Sequence, residues 1–271
     1  MSIVSITANK PIILIDQSYY IFNRYYATYS WYQRRYQDEL DSETITDNND
    51  FIISFFRHFE NDMIKLIKKY KTIKSNIIFC CDCCRTDIWR NEIYNEYKST
   101  RAKKQNFNSQ IFILFRNYIT NHDYYYCEYD KLEGDDITYL IQRKIKDEFT
   151  NSSIIIITND NDYLQMFDNK TVIINMQFKD ISLRIKTNPE IELELKIIFG
   201  DKSDNIPKIQ TTLNKDKAIK LASMTETDKY KYLKDNDLID KYELNRQLVD
   251  LRHIPENLIS GFYNKYSIIK R

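Results

Sequence analysis

The distribution of apolar and polar residues along the chain predicts an α/β fold. Three short runs of consecutive apolar residues, at 12–15, 77–81 and 154–157, are typical of strands that are buried on both faces of a parallel sheet. Three weaker strands are predicted as well, the last of them at a sheet edge: 124–127, 171–175 and 181–186. Together these segments indicate a mostly parallel central sheet that is flanked by helices.

Helical periodicity fills the segments between these strands. Residues 51–70 carry apolar side chains at the spacing of one helix face. Shorter helices, or a turn in the first case, are predicted at 17–27, 136–149 and 162–167. The polar residues 28–50 are interpreted as an irregular surface insertion.

From Pro189 the pattern is helical to the end of the chain. We therefore place a boundary near residue 187, between an α/β core of residues 1–187 and a helical region of residues 188–271. The chain has only 3 glycines and 4 prolines, a composition that argues against a long flexible linker between the two parts.

The composition favours an intracellular globular protein, in the cytoplasm or a nucleus. No stretch of the 271 residues reaches the roughly 18 consecutive apolar residues of a membrane span, so we expect no membrane partner. Five cysteines, four of them at 80–84, do not form a disulfide pattern, because neighbours on one strand point to opposite faces. A zinc site here would lack a second pair of ligands, and a partly buried strand of small residues is favoured.

Acidic residues follow the three apolar runs. Asp16 and Asp82 come directly after the first two, and Asp160 and Asp162 come just after the third. The carboxyl ends of parallel strands are where α/β proteins bind ligands, so we expect these carboxylates to meet in one crevice. Further acids open the predicted helix near 136 or lie in the helical region: Glu133, Asp135, Asp136, Asp201 and Asp204.

So many carboxylates in one crevice require cations between them. Two unit charges ~4 Å apart repel by about 4 kcal/mol at an effective dielectric constant of about 20. Ligands that are all oxygen, with no histidine, suit Mg²⁺ or Mn²⁺ better than Zn²⁺. A cluster of this size indicates two ions, about 3.5–4 Å apart, which is an arrangement that cleaves phosphodiesters.

These acids lie within motifs that resemble a known family. In chain order the motifs are Asp16-Gln-Ser-Tyr, Asp82 with Trp89-Arg90 and Tyr94-Asn-Glu-Tyr97-Lys98-Ser-Thr-Arg101, Glu133-Gly-Asp135-Asp136, Thr158-Asn-Asp160-Asn-Asp162-Tyr-Leu-Gln165, and Gly200-Asp-Lys-Ser-Asp204-Asn-Ile-Pro207. Over residues 12 to about 222 they resemble the 5′ nucleases, which include flap endonucleases, phage 5′–3′ exonucleases and the 5′ nuclease domain of bacterial DNA polymerase I. The resemblance implies a PIN-like core with a helical arch at about 85–122.

The resemblance also implies a role for each motif position. Lys98 and Arg101 would meet the scissile phosphate from the arch, and Asp160 would be essential for catalysis. The first metal ion would be held by Asp16, Asp82, Glu133, Asp135 and Asp136. The second would be held by Asp160, Asp162, Asp201 and Asp204, some of them through water.

One segment departs from the family pattern. After Pro207 the family has a glycine-rich helix-hairpin-helix whose backbone N–H groups approach a DNA phosphate, often beside a K⁺ ion, but residues 208–218 contain no glycine. The resemblance therefore implies a modified hairpin in which a K⁺ site is doubtful. Side-chain charge would replace the backbone donors there: Lys208, Lys215, Lys217 and Lys220.

The net charge of +1 conceals an uneven distribution of charge. With the nine site acids set aside, the remainder of the chain is basic, as expected for a negative centre within a positive rim. Aromatic residues at 89–107 either stack on frayed bases or belong to a helix core, and Arg24 either contacts the cleaved strand or lies elsewhere on the surface. The candidate nucleic-acid residues are Arg24, Arg85, Arg90, Tyr97, Lys98, Arg101, Lys103, Lys104, Lys208, Lys215 and Lys217.

The sequence thus predicts a metal-dependent, structure-specific 5′ nuclease. We expect a monomer that hydrolyses DNA near a 5′ end, flap or junction during replication, repair or recombination. Two alternatives stay open. One is a PIN-type ribonuclease that acts on an RNA strand, and the other is a protein that binds DNA junctions on the same scaffold without cutting them.

Overall fold

The structure, a computed structural model, describes residues 2–36, 41, 43–101, 107–149 and 152–270. The strands in this part of the chain are β1 (Ser2–Ile6), β2 (Ile12–Asp16), β3 (Ile77–Cys81), β4 (Tyr125–Glu128), β5 (Ile154–Ile157), β6 (Thr171–Ile174) and β7 (Tyr266–Lys270). Five of them form a parallel sheet in the order β4-β3-β2-β5-β6. The predicted parallel sheet is confirmed, and the three apolar runs form its three central strands.

Helices cover both faces of this sheet. The helices are α1 (Gln17–Tyr36), α2 (Asn49–Tyr70), α3 (Arg90–Ile93), α4 (Gln110–Asn121), α5 (Gly134–Glu148), α6 (Pro189–Phe199), α7 (Lys215–Ala222), α8 (Glu226–Asp235), α9 (Ile239–Val249) and α10 (Glu256–Lys265). Successive strand residues point to opposite faces, so Ile13 and Ile15 pack with α1, α2 and α4. Ile12 and Leu14 pack with α5 and α10 on the other face.

Polar caps fix where several helices begin. The side chains of Asn48, Asn188 and Asn214 each accept a hydrogen bond from a backbone N–H of the first turn, at 2.9–3.0 Å. Such a cap satisfies a donor that has no partner within the helix. Pro189 follows its cap directly, where the missing N–H of proline is not needed.

Two segments between the strands of the α/β core differ from their predictions. The insertion predicted at 28–50 is wrong in its first part, because α1 continues to Tyr36 with Thr28 and Tyr32 buried on its inner face; residues 37–40 and 42 lie outside the described part of the chain. The edge strand at 181–186 is also wrong. A 3₁₀ turn, Ser182–Arg184, stands there, and the side chain of Asp180 accepts the Ser182 N–H at 2.9 Å.

The segment predicted as an arch, 85–122, is divided between two environments. Its second half forms α4, whose residues Ile111, Phe115 and Ile119 are fully buried against the sheet. A helix packed into the core in this way cannot bridge over a substrate. Only the residues before α4 are in a position to border the crevice, and 102–106 among them lie outside the described residues.

The region after Pro189 is helical only in part. Helices α6 to α9 share a small apolar core of their own, which includes Ile197, Leu221 and Leu233. The chain then returns to the α/β core, where Phe262 and Ile268 are buried. Strand β7 pairs in parallel with β1, so the prediction of helix to the end of the chain is wrong for 266–270. No helix in the described residues is long and apolar enough to cross a membrane.

Candidate metal-binding site

An acidic crevice of about 670 Å³ opens at the carboxyl edge of the central strands. Strands β2, β3 and β5 are adjacent and parallel, so the residues that follow them reach the same edge. Lys98 and Arg101 also line the crevice. Six of the nine predicted acids line it: Asp16, Asp82, Glu133, Asp135, Asp160 and Asp162.

Asp16 is held in place by neighbours from two elements. Its carboxylate accepts the Tyr19 backbone N–H at 2.9 Å and the Thr158 hydroxyl at 2.8 Å. The first donor is exposed because it belongs to the first turn of α1. Burial, together with the negative charges of Asp82 and Asp160, raises the pKa of Asp16 to about 7. The site therefore crowds negative charge around this carboxylate.

Asp82 binds to the start of α5. Its carboxylate accepts the Gly134 N–H at 2.7 Å and a hydrogen bond from the Ser18 hydroxyl. A Cβ at position 134 would lie 3.2 Å from both the Asp82 Oδ1 and the Cys80 carbonyl oxygen. The glycine thus allows the helix start to approach the strand end, and the helix dipole favours a carboxylate there.

Asp136 lies behind the crevice. It is fully buried, and it accepts two hydrogen bonds from Arg90, at 2.8 and 2.9 Å, and one from the Trp89 indole at 3.0 Å. It also accepts the backbone N–H of Glu133, which completes a capping box at the start of α5. Both oxygens of Asp136 are thus engaged by protein donors, and with Glu133 and Asp135 it forms a group whose carboxylate oxygens lie within 4.8 Å of one another.

Glu133 and Asp135 face the crevice. Although burial raises the pKa of Glu133, the charges of Lys98 and Arg90 outweigh it and lower that pKa to about 2. The pKa of Asp135 is raised well above its usual value by burial and by the charges of Asp136 and Glu133. Glu133 is therefore paired with cations, whereas Asp135 is repelled by the neighbouring carboxylates.

A second acidic group lies beside the first. Carboxylate oxygens of Asp162, Asp201 and Asp204 lie within 4.8 Å of one another. Gly200 makes the turn into this loop with φ +66°, and a Cβ there would lie 2.3 Å from the Ile206 carbonyl oxygen. Only glycine fits this close approach.

Lys196 was not identified by the sequence analysis. It projects from α6 and makes ion pairs with Asp162 and, at 2.9 Å, with Asp201. Burial raises the pKa of Asp201, but the Lys196 charge outweighs this effect and lowers it to about 2. A single lysine in a helical segment carries no sequence signal of such a role.

Asn205, which was also missed as an individual residue, joins the two halves of the site. Its side-chain amide donates to the Glu96 carbonyl at 2.9 Å and to the Ser99 hydroxyl at 3.1 Å. The Lys98 N–H donates to the Asp204 carbonyl at 2.8 Å. The turn that carries Lys98 and the loop that carries Asp204 are therefore bonded to each other. The motif around Asn205 was a signal for this contact, although it does not reveal the partners.

Gln165, the last residue of the Thr158–Gln165 motif, ties the crevice to the helical region. Its side chain accepts the Leu251 N–H at 3.0 Å and donates to the Val249 carbonyl at 3.3 Å. Asp160, six residues past the start of β5, lies on the same loop. Burial and the charge of Asp162 raise the pKa of Asp160 to about 6.

Three of the predicted nucleic-acid residues lie inside the protein. Arg90 is 1% exposed and Tyr97 is 6% exposed, and both bond to Glu133. Arg24 is paired with Asp62 of α2 rather than lying on the crevice or the open surface. Because Arg90 and Tyr97 are buried and the Arg24 guanidinium is paired with Asp62, these three side chains are corrected to structural roles.

The remaining predicted nucleic-acid residues fall into two groups. Lys103 and Lys104 lie outside the described residues. The others are exposed or line the crevice: Arg85, Lys98, Arg101, Lys208, Lys215 and Lys217.

The cysteines do not contribute to a metal site. Cys80 and Cys81 alternate between the two faces of β3 and are both buried. In the described chain, the residue groups that could hold an ion consist of carboxylates alone. Hard divalent cations such as Mg²⁺ and Mn²⁺ prefer this kind of donor set, and a cation would offset the repulsion that raises the pKa values of Asp16 and Asp160.

Carboxylates meet at the strand ends of this parallel sheet, beside a lysine and an arginine. This combination is typical of metal-dependent enzymes that act on phosphate esters. The family model described as 5′-3′ exonuclease, N-terminal resolvase-like domain matches residues 11–193. The chain therefore belongs to the 5′-3′ exonuclease family, and it is a nuclease.

Relatives in sequence and in structure agree with this family. The chain is 26% identical over 245 residues to ribonuclease H of Enterobacteria phage T4, covering 80% of this chain and 79% of the relative. It is 24% identical over 208 residues to a 5′-3′ exonuclease of Mycoplasmopsis pulmonis, covering 74% and 62%. The fold is similar to that of the phage T5 D15 protein crystallised with metal ions, with a TM-score of 0.63 at 13% identity, covering 94% and 98%.

Proposed function

We propose that this chain is a 5′ nuclease that uses two Mg²⁺ or Mn²⁺ ions to hydrolyse DNA phosphodiesters near a 5′ end or flap junction. The observation that carries the proposal is the crevice, which is lined by acids from separated segments together with Lys98 and Arg101. One chain supplies every one of these groups, so we expect a monomer to be active. A protein solved from phage T5 under the name flap endonuclease, in complex with DNA and metal ions, has a similar fold, with a TM-score of 0.63.

The two groups of acids correspond to two ion positions. One ion would be held by Asp16, Asp82, Glu133 and Asp135. Asp136 would orient Glu133, because it accepts the Glu133 N–H and bonds to Arg90, which also bonds to Glu133. The second ion would be held by the acids beyond it: Asp160, Asp162, Asp201 and Asp204. When bound, such ions supply a water of lowered pKa and neutralise charge on the leaving oxygen.

The cationic side chains of the crevice would act on the phosphate. Lys98 lies between Glu133, with which it is paired, and Asp204, 3.7 Å away. Arg101 pairs with Asp204 and is 44% exposed, so its guanidinium reaches the open side of the crevice. Fixed positive charge in this position stabilises the negative charge that develops on the phosphate oxygens in the transition state.

The duplex would lie across the hairpin that precedes α7. Lys208, Lys215 and Lys217 are exposed there, and Lys208 and Lys215 border a cavity that also includes Asp162. Positive side chains beside the acidic site would bind the DNA phosphates next to the scissile bond. The hairpin binds DNA in this proposal without requiring a K⁺ ion.

An RNA strand is a second candidate substrate. The T4 relative carries the name ribonuclease H and matches this chain over 79% of its own length, which favours removal of RNA from the 5′ end of an RNA–DNA duplex. The same crevice would serve, because metal-assisted hydrolysis acts on the phosphate rather than on the sugar.

The test is cleavage of a labelled 5′-flap duplex with and without Mg²⁺, using flaps of DNA and of RNA. We expect Mg²⁺-dependent cutting near the junction, and the ratio of the two rates assigns the strand. Tight binding with no cutting of either flap would instead favour a junction-binding protein. That alternative is disfavoured because all nine acids of the family pattern are present.

A further inference from the structure

Lys196 stands between two carboxylates of the acidic site. Its ammonium pairs with Asp162 and lies 2.9 Å from Asp201. Only 23% of its side chain is exposed, and the two carboxylates are similarly enclosed, at 21% and 18%. At this degree of burial an ion pair is screened less than one on the open surface, so Lys196 makes a substantial contribution to neutralising these acids.

The same carboxylates belong to the group that could bind a metal ion. Oxygens of Asp162, Asp201 and Asp204 lie within 4.8 Å of one another, and Lys196 bonds to two of the three. An ammonium group and a divalent cation use the same oxygen lone pairs, and their like charges repel strongly at such separations. They cannot both engage Asp162 and Asp201 in full.

We propose that Lys196 is an internal competitor of the divalent ion at this half of the site. The inference rests on the proposed function, because it requires an ion at Asp162 and Asp201. When an ion binds there, the ammonium leaves Asp162. Lys196 thereby weakens metal binding at this position while keeping the acidic loop together when no ion is bound.

The two loops that carry Asp162 and Asp201 hold these acids close together. Asp201 also accepts two hydrogen bonds from Ser203, at 2.6 and 2.7 Å, so its orientation is fixed. The backbone of Asp162 is held within its own loop, where its N–H donates to Asp160 at 3.0 Å. Carboxylates this close repel each other unless a cation lies between them, and Lys196 of the packed helix α6 supplies that cation when no ion is bound.

The test measures Mn²⁺ binding in the absence of DNA, by electron paramagnetic resonance of free Mn²⁺. Replacing the charge in Lys196→Met should tighten the weaker of two Mn²⁺ ions by about tenfold or more, since a competing unit charge is removed. Lys196→Arg keeps the charge and should bind Mn²⁺ nearly as the wild type does. Lys202→Met, an exposed lysine of the same loop, controls for a general loss of positive charge.

The outcomes separate this inference from the proposed function. If wild-type protein binds no Mn²⁺, the proposed function fails. If wild-type protein binds Mn²⁺ and cuts the flap, but Lys196→Met binds Mn²⁺ with unchanged or weaker affinity, only the inference fails.

A crystal of the wild-type protein soaked in Mn²⁺ gives a second test that does not depend on any variant folding. We expect the ion on Asp162 and Asp201, and the Lys196 Nζ beyond hydrogen-bonding distance of Asp162. An ion on these two acids with both lysine contacts intact would overturn the proposal.

Discussion

Asp160 combines a fixed backbone with a carboxylate that is open to the crevice. Its N–H donates to the Thr158 hydroxyl at 3.1 Å, and one of its carboxylate oxygens accepts the Asp162 N–H at 3.0 Å. In Asp160→Asn the amide oxygen can still accept that second bond, so the loop should keep its shape. The loss is the negative charge that an ion requires.

Asp160→Asn is therefore expected to separate cutting from binding. The cleavage rate should fall by about 100-fold or more, while the dissociation constant for flap DNA stays within a few-fold. Single-turnover cleavage and fluorescence anisotropy measure the two quantities. Asp41→Asn, at an exposed acid outside the crevice, should change neither. Wild-type turnover in Asp160→Asn would refute the assignment of Asp160 as an ion ligand.

Arg90 is the most enclosed cation of the site. Its guanidinium bonds to Glu133, to both oxygens of Asp136 and to the Leu248 carbonyl. Arg90→Met would leave two buried carboxylates without this partner, and breaking a buried pair typically costs about 3–5 kcal/mol. Urea denaturation should show that loss in the free energy of unfolding. In Arg57→Met, at an exposed site on α2, a change below about 0.5 kcal/mol is expected.

The role of Arg90 illustrates what residue identity alone could not provide. Arg90 lies in a segment that mixes basic and aromatic residues, a pattern that is typical of a nucleic-acid contact, although such a contact leaves the arginine exposed. The partner that buries it, Asp136, is 46 positions away in sequence. The acids themselves were predictable because each follows a strand, and parallel strands bring their carboxyl ends to one edge.

The contact between the turn at 94–101 and the loop at 201–206 joins the two acidic groups. Both elements use a left-handed residue, with φ +54° at Lys98 and +59° at Asn205. Asn205→Gly keeps that conformation but removes the two side-chain hydrogen bonds. We expect kcat to fall several-fold with little change in Mn²⁺ affinity. The reason is that Lys98 and Arg101 are then no longer held in position relative to the acids.

Asn205→Ala distinguishes the side chain from the backbone. It loses the same bonds and adds the strain of a left-handed alanine, about 1–2 kcal/mol, so its unfolding temperature should lie below that of Asn205→Gly. The two variants should share the lowered kcat. A wild-type kcat in Asn205→Gly would show that the amide does not position the catalytic turn.

The elements that sequence patterns predicted correctly are those with local signals. Four consecutive isoleucines in β5 are typical of a strand that is covered on both faces. Strands β1 and β7 have no comparable signal, since polar residues interrupt their apolar ones. Each forms by pairing with the other across more than 260 positions. Tertiary pairing of this kind overrides local preference.

The distribution of charge over the whole molecule predicts how it binds DNA. Helix α2 ends at Tyr70, just before β3 begins at the amino edge of the sheet, so its terminal lysines lie away from the crevice. Helix α7 begins at Lys215, which borders the same cavity as Asp162. Both ends carry exposed lysines, but only those of α7 are on the side of the site.

Replacing lysines at the two ends should therefore change the salt dependence differently. Each phosphate contact that is lost lowers the slope of log Kd against log salt by about 0.9. The pair Lys215→Ala and Lys217→Ala should thus lower it by about 2, whereas Lys65→Ala with Lys68→Ala, both exposed on α2, should leave it unchanged. Anisotropy titrations in an Asp160→Asn background prevent cutting during the measurement. Equal slopes for the two pairs would mean that DNA does not cross the α7 end of the molecule.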